Sequence, residues 1–343
     1  MNVFNGIGIQ PLFEDCTFGE ERLRVPALRA DVRDLDMSDL TGFDAVIHLA
    51  ALSNDPLGNL NPQVTYDINH LASVRLAWLA REAGVSRFLF ASSCSLYGLA
   101  GDDRLLTEEA DFTPVTPYGE SKVLVERDVS RLATNRFSPV FLRNATAYGV
   151  SPRLRADIVV NSLVGYAFTT GEILIQSDGT PWRPLVHVED ISRAFLAALE
   201  APRDLVHNRA FNVGRTQENY QIRDIADIVL GIVPGSRVTY APGGGPDPRC
   251  YRVNCDEIAW TLPAFQPRWT VPDGVRELYD AYRSNGLTYE RFDGDGSRYL
   301  RIKHLQRLQA GGRVDNTLRW TAARDGRGGE QTMAAAVAHV GLP

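Results

Sequence analysis

Cysteine is scarce. The 343 residues hold four (Cys16, Cys94, Cys250 and Cys255), with no metal-ligand spacing among them. That pattern offers no metal site and reads as reduced thiols in a cytoplasmic protein. No apolar run approaches the ~20 residues of a membrane span. Met1–Gln10 lacks the basic start and long apolar stretch of a secretory leader. Positive charge is not in excess either. The net charge of −6 argues against nucleic acid as a partner and leaves an anionic small substrate open. What the chain does have is length and apolar content. At 44% hydrophobic it can bury a sizeable core, as two domains or as one large α/β domain with an appendage.

Short apolar runs alternate with helical patterns. Ala45–Ala51, after a turn at Gly42, predicts a buried parallel strand. Val64–Ala83 carries apolar residues at helical spacing and stops at Gly84. Arg87–Ala91 predicts a strand, Ser121–Ala133 a helix and Pro139–Leu142 another strand. This alternation implies an α/β, doubly wound parallel sheet. Ligands of such sheets sit beyond the carboxyl ends of the strands, here His48–Ala51, Ser92–Ser95 and Asn144–Gly149. From about Val150 the pattern loosens. Pro184–Ile191 is expected to open a helix through Ala201, Phe211–Gly214 is strand-like, and Arg223–Val233 predicts a helix. Thr321–Gly329 is polar and Gly-rich, the composition of a mobile tail.

Two segments carry chemistry. Phe90-Ala91-Ser92-Ser93-Cys94-Ser95-Leu96-Tyr97-Gly98 reads as a buried strand ending in hydroxyls. Pro117-Tyr118-Gly119-Glu120-Ser121-Lys122 reads as the start of a helix that puts Tyr118 and Lys122 on one face. A phenol beside an ammonium, with a hydroxyl nearby, is a device for moving a proton while a hydride moves elsewhere. The cation is expected to lower the phenol pKa so that the tyrosine acts as a base near neutral pH.

On these residues the chain resembles the extended short-chain dehydrogenases/reductases, the NAD-dependent nucleotide-sugar epimerases and dehydratases. The resemblance runs from about Asp31 to about Leu287. It implies a Rossmann-type doubly wound sheet with a smaller mixed C-terminal substrate domain. Residues 1–149, with 184–214 returning, would form the NAD-binding domain. Residues 150–183 and 215–287 would form the substrate domain, and 288–343 a partly mobile extension. Tyr118 and Lys122 match the family's catalytic pair, and Ser93 its catalytic hydroxyl. Lys122 would also bond the nicotinamide ribose of NAD, which the resemblance favours over NADP.

Asp31 and Val32, in Asp31-Val32-Arg33-Asp34, match the strand end at the adenine. Leu49, Ala50 and Ala51 follow His48 in a motif whose small residues admit the cofactor, His48 itself having no catalytic role. Asn69 matches a helical asparagine that holds the active-site framework. Ser95, Asn144, Thr146 and Asn161 match substrate-side positions, Thr146 standing where relatives carry asparagine. Arg183 and Arg249 match arginines facing the diphosphate, a task suited to forked guanidiniums. The residues also admit plainer roles. Asp31 could cap a turn, and either arginine could pair with Asp178 or Asp247 on the surface.

The implied partner is a nucleotide-diphosphate sugar. A homodimer through the helices of Val64–Ala83 and Ser121–Ala133 is also implied. Dehydratases of this family place an Asp-Glu pair after the catalytic hydroxyl; here Cys94 and Ser95 stand there. That points to an epimerase acting at C4 through a transient keto sugar. A keto-sugar reductase, a dehydratase using unusual acids, and a non-catalytic nucleotide-binding remnant remain alternatives; Cys94 could serve as an acid in a different epimerisation or be a small buried apolar residue. One family feature is missing. The Gly-x-x-Gly-x-x-Gly turn that cradles the cofactor pyrophosphate has no counterpart, since Gly6 and Gly8 are differently spaced. Ile9 and Gln10 stand where an acidic ribose contact is expected. Roughly one βα unit of about 30 residues is expected to be absent, through a start site placed too late or through true truncation.

Overall fold

The computed structural model describes residues 30–99, 104–151, 154–243, 245, 249–295, 297 and 299–321. Four strands lie side by side and parallel in the order Ala45–His48, Arg87–Ser93, Ser138–Asn144, Arg209–Val213. Their side chains alternate between two covered faces. Phe88, Phe90 and Phe141 pack with Val74, Leu76 and Val125 from the helices Ala72–Glu82 and Pro117–Ser130. Leu89, Val140 and Leu142 pack on the opposite side with Phe195 and Ala198 of the helix Val188–Glu200. Burial on both faces explains why these strands read as continuous apolar runs. The register sets Ser93 beside Asn144, and Asn144 beside Val213. Three carboxyl ends therefore meet on one edge.

The helix before the Arg87 strand is one continuous run with a change of pitch. Asn61 caps it through the Val64 N–H (3.3 Å). It widens to a π-helix over Tyr66–Leu71 and resumes as Ala72–Glu82. Gly84, at φ +86°, takes the left-handed conformation that ends it. The insertion turns Asn69 inward, where it is 1% exposed.

Past Asn144 the chain builds a second body. Thr146–Tyr148 runs parallel to Trp182–His187, which pairs antiparallel with Asn219–Gln221. Glu172–Ile175 pairs with Arg237–Tyr240. The helices Val159–Thr170, Ile222–Ile232 and Val271–Ser284 close a core of Val160, Val164, Ile225, Val229, Leu278 and Tyr282. The helix expected to open at Pro184 opens at Val188 instead. Pro184–His187 are held in the strand ladder, and His187 caps the helix by accepting from the Glu189 N–H (3.1 Å).

Residues beyond 287 are built into the fold as far as 321. The helix Arg301–Ala310 sends Leu305 and Leu308 into the first core, joined by Val314. Arg33 Nη1 donates to the Thr317 carbonyl (2.8 Å), and Arg319 pairs with Asp34 (2.6 Å). Leu305 has no exposed surface, so Leu305→Ala is expected to destabilise the protein by about 2–4 kcal/mol in urea unfolding. The start of the chain (Gly6, Gly8, Ile9, Gln10), Cys16 and the tail from residue 322 lie outside the described residues. Among those described, no helix is long and apolar enough to cross a membrane, and no acidic, His or Cys group could hold a metal ion.

Candidate active site

The helix Pro117–Ser130 carries the reactive pair. Thr116 caps it through the Gly119 N–H (3.2 Å), and Pro117 occupies its first turn. Gly119 allows a close approach: a Cβ there would lie 2.8 Å from the Ser95 carbonyl oxygen. Ser93, at the end of its strand, accepts from the Ser95 N–H (3.1 Å) and lies near enough to the Tyr118 hydroxyl to favour its ionised form. Lys122 is 3% exposed. Its Nζ donates to the Ala91 carbonyl (2.7 Å), lies 4.5 Å from the Phe90 ring centroid and 5.6 Å from that of Tyr118.

The electrostatics differ from the sequence expectation. Burial pushes the Tyr118 phenol above its usual value; Ser93 works against this and the Asp55 carboxylate adds to it. Burial also pulls Lys122 down to about 7, with Glu126 opposing. The expected lowering of the phenol by its neighbouring ammonium is thus outweighed in the free protein. Desolvation is the larger effect for both groups, and the ammonium spends a hydrogen bond on a carbonyl.

Tyr118 and Lys122 open into a cleft of ≈ 490 Å³ between the sheet edge and the second body. Ser93, Ser95 and Asn144 line it from the strand ends, with Leu49 and Ala51 beside them and Thr146 just beyond. Arg183 and Arg249 line it from the far side. Arg249 Nη1 is 2.5 Å from Asp55 Oδ2, and Arg183 donates to the Trp182 carbonyl (2.8 Å) and to the Arg249 carbonyl, while Asp247 lies outside the described residues.

Other sequence candidates lie outside the cleft. Asn69 Nδ2 donates to the Leu52 carbonyl (3.1 Å) and Ser121 Oγ (3.2 Å), and its Oδ1 accepts from the Leu52 N–H (2.8 Å). It holds the cleft rim to the catalytic helix. Asn161 is spent in the same manner, on both backbone groups of Gly149 and on the Arg155 carbonyl, so its side chain is scaffold. Val32 and Ala50 are each 2% exposed. Asp31 caps a short 3₁₀ turn and grips Arg33 with both oxygens (3.0 and 2.6 Å). His48 is packed between Phe88 and Phe90 and bonds Ser73 (2.7 Å). Cys94 points into the core towards the Arg143 carbonyl (3.1 Å), and burial drives its thiol pKa far upward.

The sequence reading missed Asp55, Thr116, Arg155 and Asp157. Asp55 is 8% exposed, lines the cleft, and accepts from Thr116 Oγ1 (2.5 Å). Arg155 also lines the cleft. It is forked onto Asp157 (3.0 and 3.1 Å) and donates to the Ser53 carbonyl (3.2 Å). Burial works to raise the Asp157 pKa, and Arg155 overrides it. Arg301 Nη1 reaches Ser53 Oγ (2.8 Å) from the C-terminal helix. The run Ser53-Asn54-Asp55-Pro56 signals a helix start and gives no hint of the arginines it meets.

The strand ends suit the nicotinamide half of a dinucleotide. The buried Asn144 Oδ1 finds no partner among the described residues, and Lys122 keeps donors beyond the one given to Ala91. Lys122 and Tyr118 would hold the ribose, and Leu49, Ala51 and Asn144 the flat ring.

The chain is similar to known proteins. The profile of the NAD dependent epimerase/dehydratase family matches residues 17–214. A UDP-glucose 4-epimerase of Lactobacillus helveticus is 26% identical over 267 residues, covering 72% of this chain and 79% of that protein. UDP-glucose 4-epimerase 2 of Oryza sativa subsp. japonica is 32% identical over 261 residues, covering 69% of this chain and 62% of that protein. Among solved structures, MoeE5 in complex with UDP-glucose and NAD superposes with a TM-score of 0.65 at 27% identity, covering 76% of this chain and 86% of that one.

Proposed function

Because the chain belongs to the NAD dependent epimerase/dehydratase family, we propose that it is the epimerase of that pair, inverting a nucleotide-diphosphate sugar at C4. The observation that carries this choice is the place of Cys94. Elimination of water needs an acid and a base beside the catalytic hydroxyl. Here one position holds a thiol buried against the Arg143 carbonyl and the other a serine.

Bound NAD supplies the two-electron acceptor for the reacting carbon. Tyr118 Oη takes the proton of the sugar hydroxyl, and Ser93 Oγ steadies the charge that develops on that oxygen. Lys122 holds the ribose beside Tyr118. Inversion requires the sugar to turn over within the cleft, so the ligand is gripped by its diphosphate, with Arg183 and Arg249 as the grip. The homodimer we propose forms through the outer faces of the helical run 62–82 and the helix Pro117–Ser130, which lie side by side within one chain, Tyr66 bonding Glu120 (2.6 Å) and His70 bonding Asp128 (2.7 Å).

The test is product analysis. Purified protein receives UDP-glucose, UDP-glucuronic acid or dTDP-glucose with catalytic NAD, and products are identified by NMR. Redox-neutral conversion to the C4 epimer is expected. A 6-deoxy-4-keto product would make it a dehydratase, stoichiometric NADPH oxidation a reductase, and absent turnover with absent NAD binding a remnant. Cys94→Ala provides a second check. A catalytic acid there would cost about 10²–10⁴-fold in kcat; the buried thiol predicts a rate close to that of the unaltered protein.

A further inference from the structure

Tyr118, Lys122 and Glu126 follow one another at four-residue spacing on a single helix face. The third has no place in the chemistry above, yet it is the most tightly held. Glu126 is 6% exposed. Arg143 grips it with Nε (3.1 Å to both oxygens) and Nη2 (2.8 Å), and Ser92 Oγ donates to its Oε1 (2.5 Å). Arg143 is itself fixed, with Nη1 on the Tyr97 hydroxyl (3.1 Å) and the Glu108 carbonyl (2.8 Å) and its guanidinium over the Phe112 ring. Ser92 precedes Ser93 and Arg143 precedes Asn144, so one carboxylate ties the catalytic helix to both strand ends that line the cleft.

We propose that Glu126 is a positioning residue for Lys122: clamped by Ser92 and Arg143, it supplies the counter-charge of the ammonium at the cleft floor. A buried ion pair adds little stability over a neutral pair of like shape. A neutral pair, however, places no negative charge one turn from Lys122. The groups facing Lys122 are few. Tyr118 and Glu126 share its helix. His48, on the strand Ala45–His48, is held neutral by burial with a pKa of about 3. Arg143, on the neighbouring strand, is spent on Glu126 (2.8 Å), while Asp55 and Arg155 act on Tyr118. Among these, Glu126 is the charge that opposes the desolvation of Lys122.

The inference rests on the catalytic reading of Lys122, but its test needs no turnover. Lys122 and Lys303 are the two lysines of the chain. With ¹³Cε-lysine the full-length protein gives two signals, and Lys303, half-exposed beside Asp293, serves as the internal reference. In the unaltered protein Lys122 is expected to titrate near 7. Glu126→Gln should lower that midpoint by about one unit or more, a tenfold loss of proton affinity, with Glu126→Asp recovering part of it. Should the Glu126→Gln substitution leave Arg143 unpaired and the fold damaged, the double variant Glu126→Gln/Arg143→Met should titrate below the single variant Arg143→Met, from which it differs only in the carboxylate charge. An unmoved midpoint in these variants would overturn the proposal, as would an ordinary lysine midpoint in the unaltered protein. Loss of epimerisation with an unmoved midpoint defeats the role of Glu126 alone. A moved midpoint in a protein that never converts nucleotide sugars defeats the epimerase reading instead.

Discussion

Tyr118→Phe is expected to lower kcat by roughly 10²–10⁴-fold, the usual worth of a positioned acid–base group. The ring keeps its place, because its neighbours are backbone and scaffold: Gly58 packs against its Cβ, and Ser121 donates to its carbonyl (2.7 Å). Only the hydroxyl that meets Ser93 is lost. Affinity for UDP should therefore stay near that of the unaltered protein, as should the melting temperature. Turnover by the Phe variant at the unaltered rate would remove Tyr118 from the chemistry. A matching collapse of UDP affinity would make it a binding residue instead.

Lys122→Met should abolish turnover and, unusually for a catalytic substitution, raise the melting temperature of the cofactor-free protein. The sign follows from the depressed pKa. Lys122 titrates at about 7 in the folded chain against an ordinary lysine value of 10.5. Between those values the unfolded chain binds the extra proton, so this group's contribution to stability rises with pH across the window. Below about pH 7 the folded protein bears the full cost of a buried ammonium; above about 10.5 it bears none. After allowing for the lost bond to the Ala91 carbonyl, the gain on substitution is about 2 kcal/mol at pH 6. It should shrink steadily towards pH 10. Parallel melting profiles of the two proteins over that range would show that Lys122 is not desolvated.

What could be read in advance depended on the range of the interactions involved. Tyr118 and Lys122 were legible because helical spacing alone puts them on one face. The strand ends were legible because burial on both faces leaves continuous apolar runs such as Phe88–Phe90. The pairing of Arg249 with Asp55 spans 194 positions, and nothing near either residue announces the other. Arg155, Asp157 and Arg301 were invisible for the same reason. Asn161 occupied the anticipated stretch, but the direction of its side chain was set by the bare backbone at Gly149. The Tyr118 shift had the wrong sign in the sequence reading because adjacency of charges can be counted along a helix, whereas the loss of water around them cannot. At Pro184–His187 strand pairing with Thr146–Tyr148 overrode a helical reading.

The route of the helix Arg301–Ala310 bears on how this protein is made. Leu305, Leu308 and Val314 complete a core otherwise assembled from residues 32–141. A ribosome delivers the chain from its amino end at about 5–20 residues per second. The core laid down first must therefore wait many seconds, with Leu52, Leu57 and Val64 on the side of the closing helix incompletely covered, until that helix emerges. Chaperone dependence during biosynthesis should accordingly grow in any variant that weakens this late-arriving segment, even one whose finished fold is only mildly less stable.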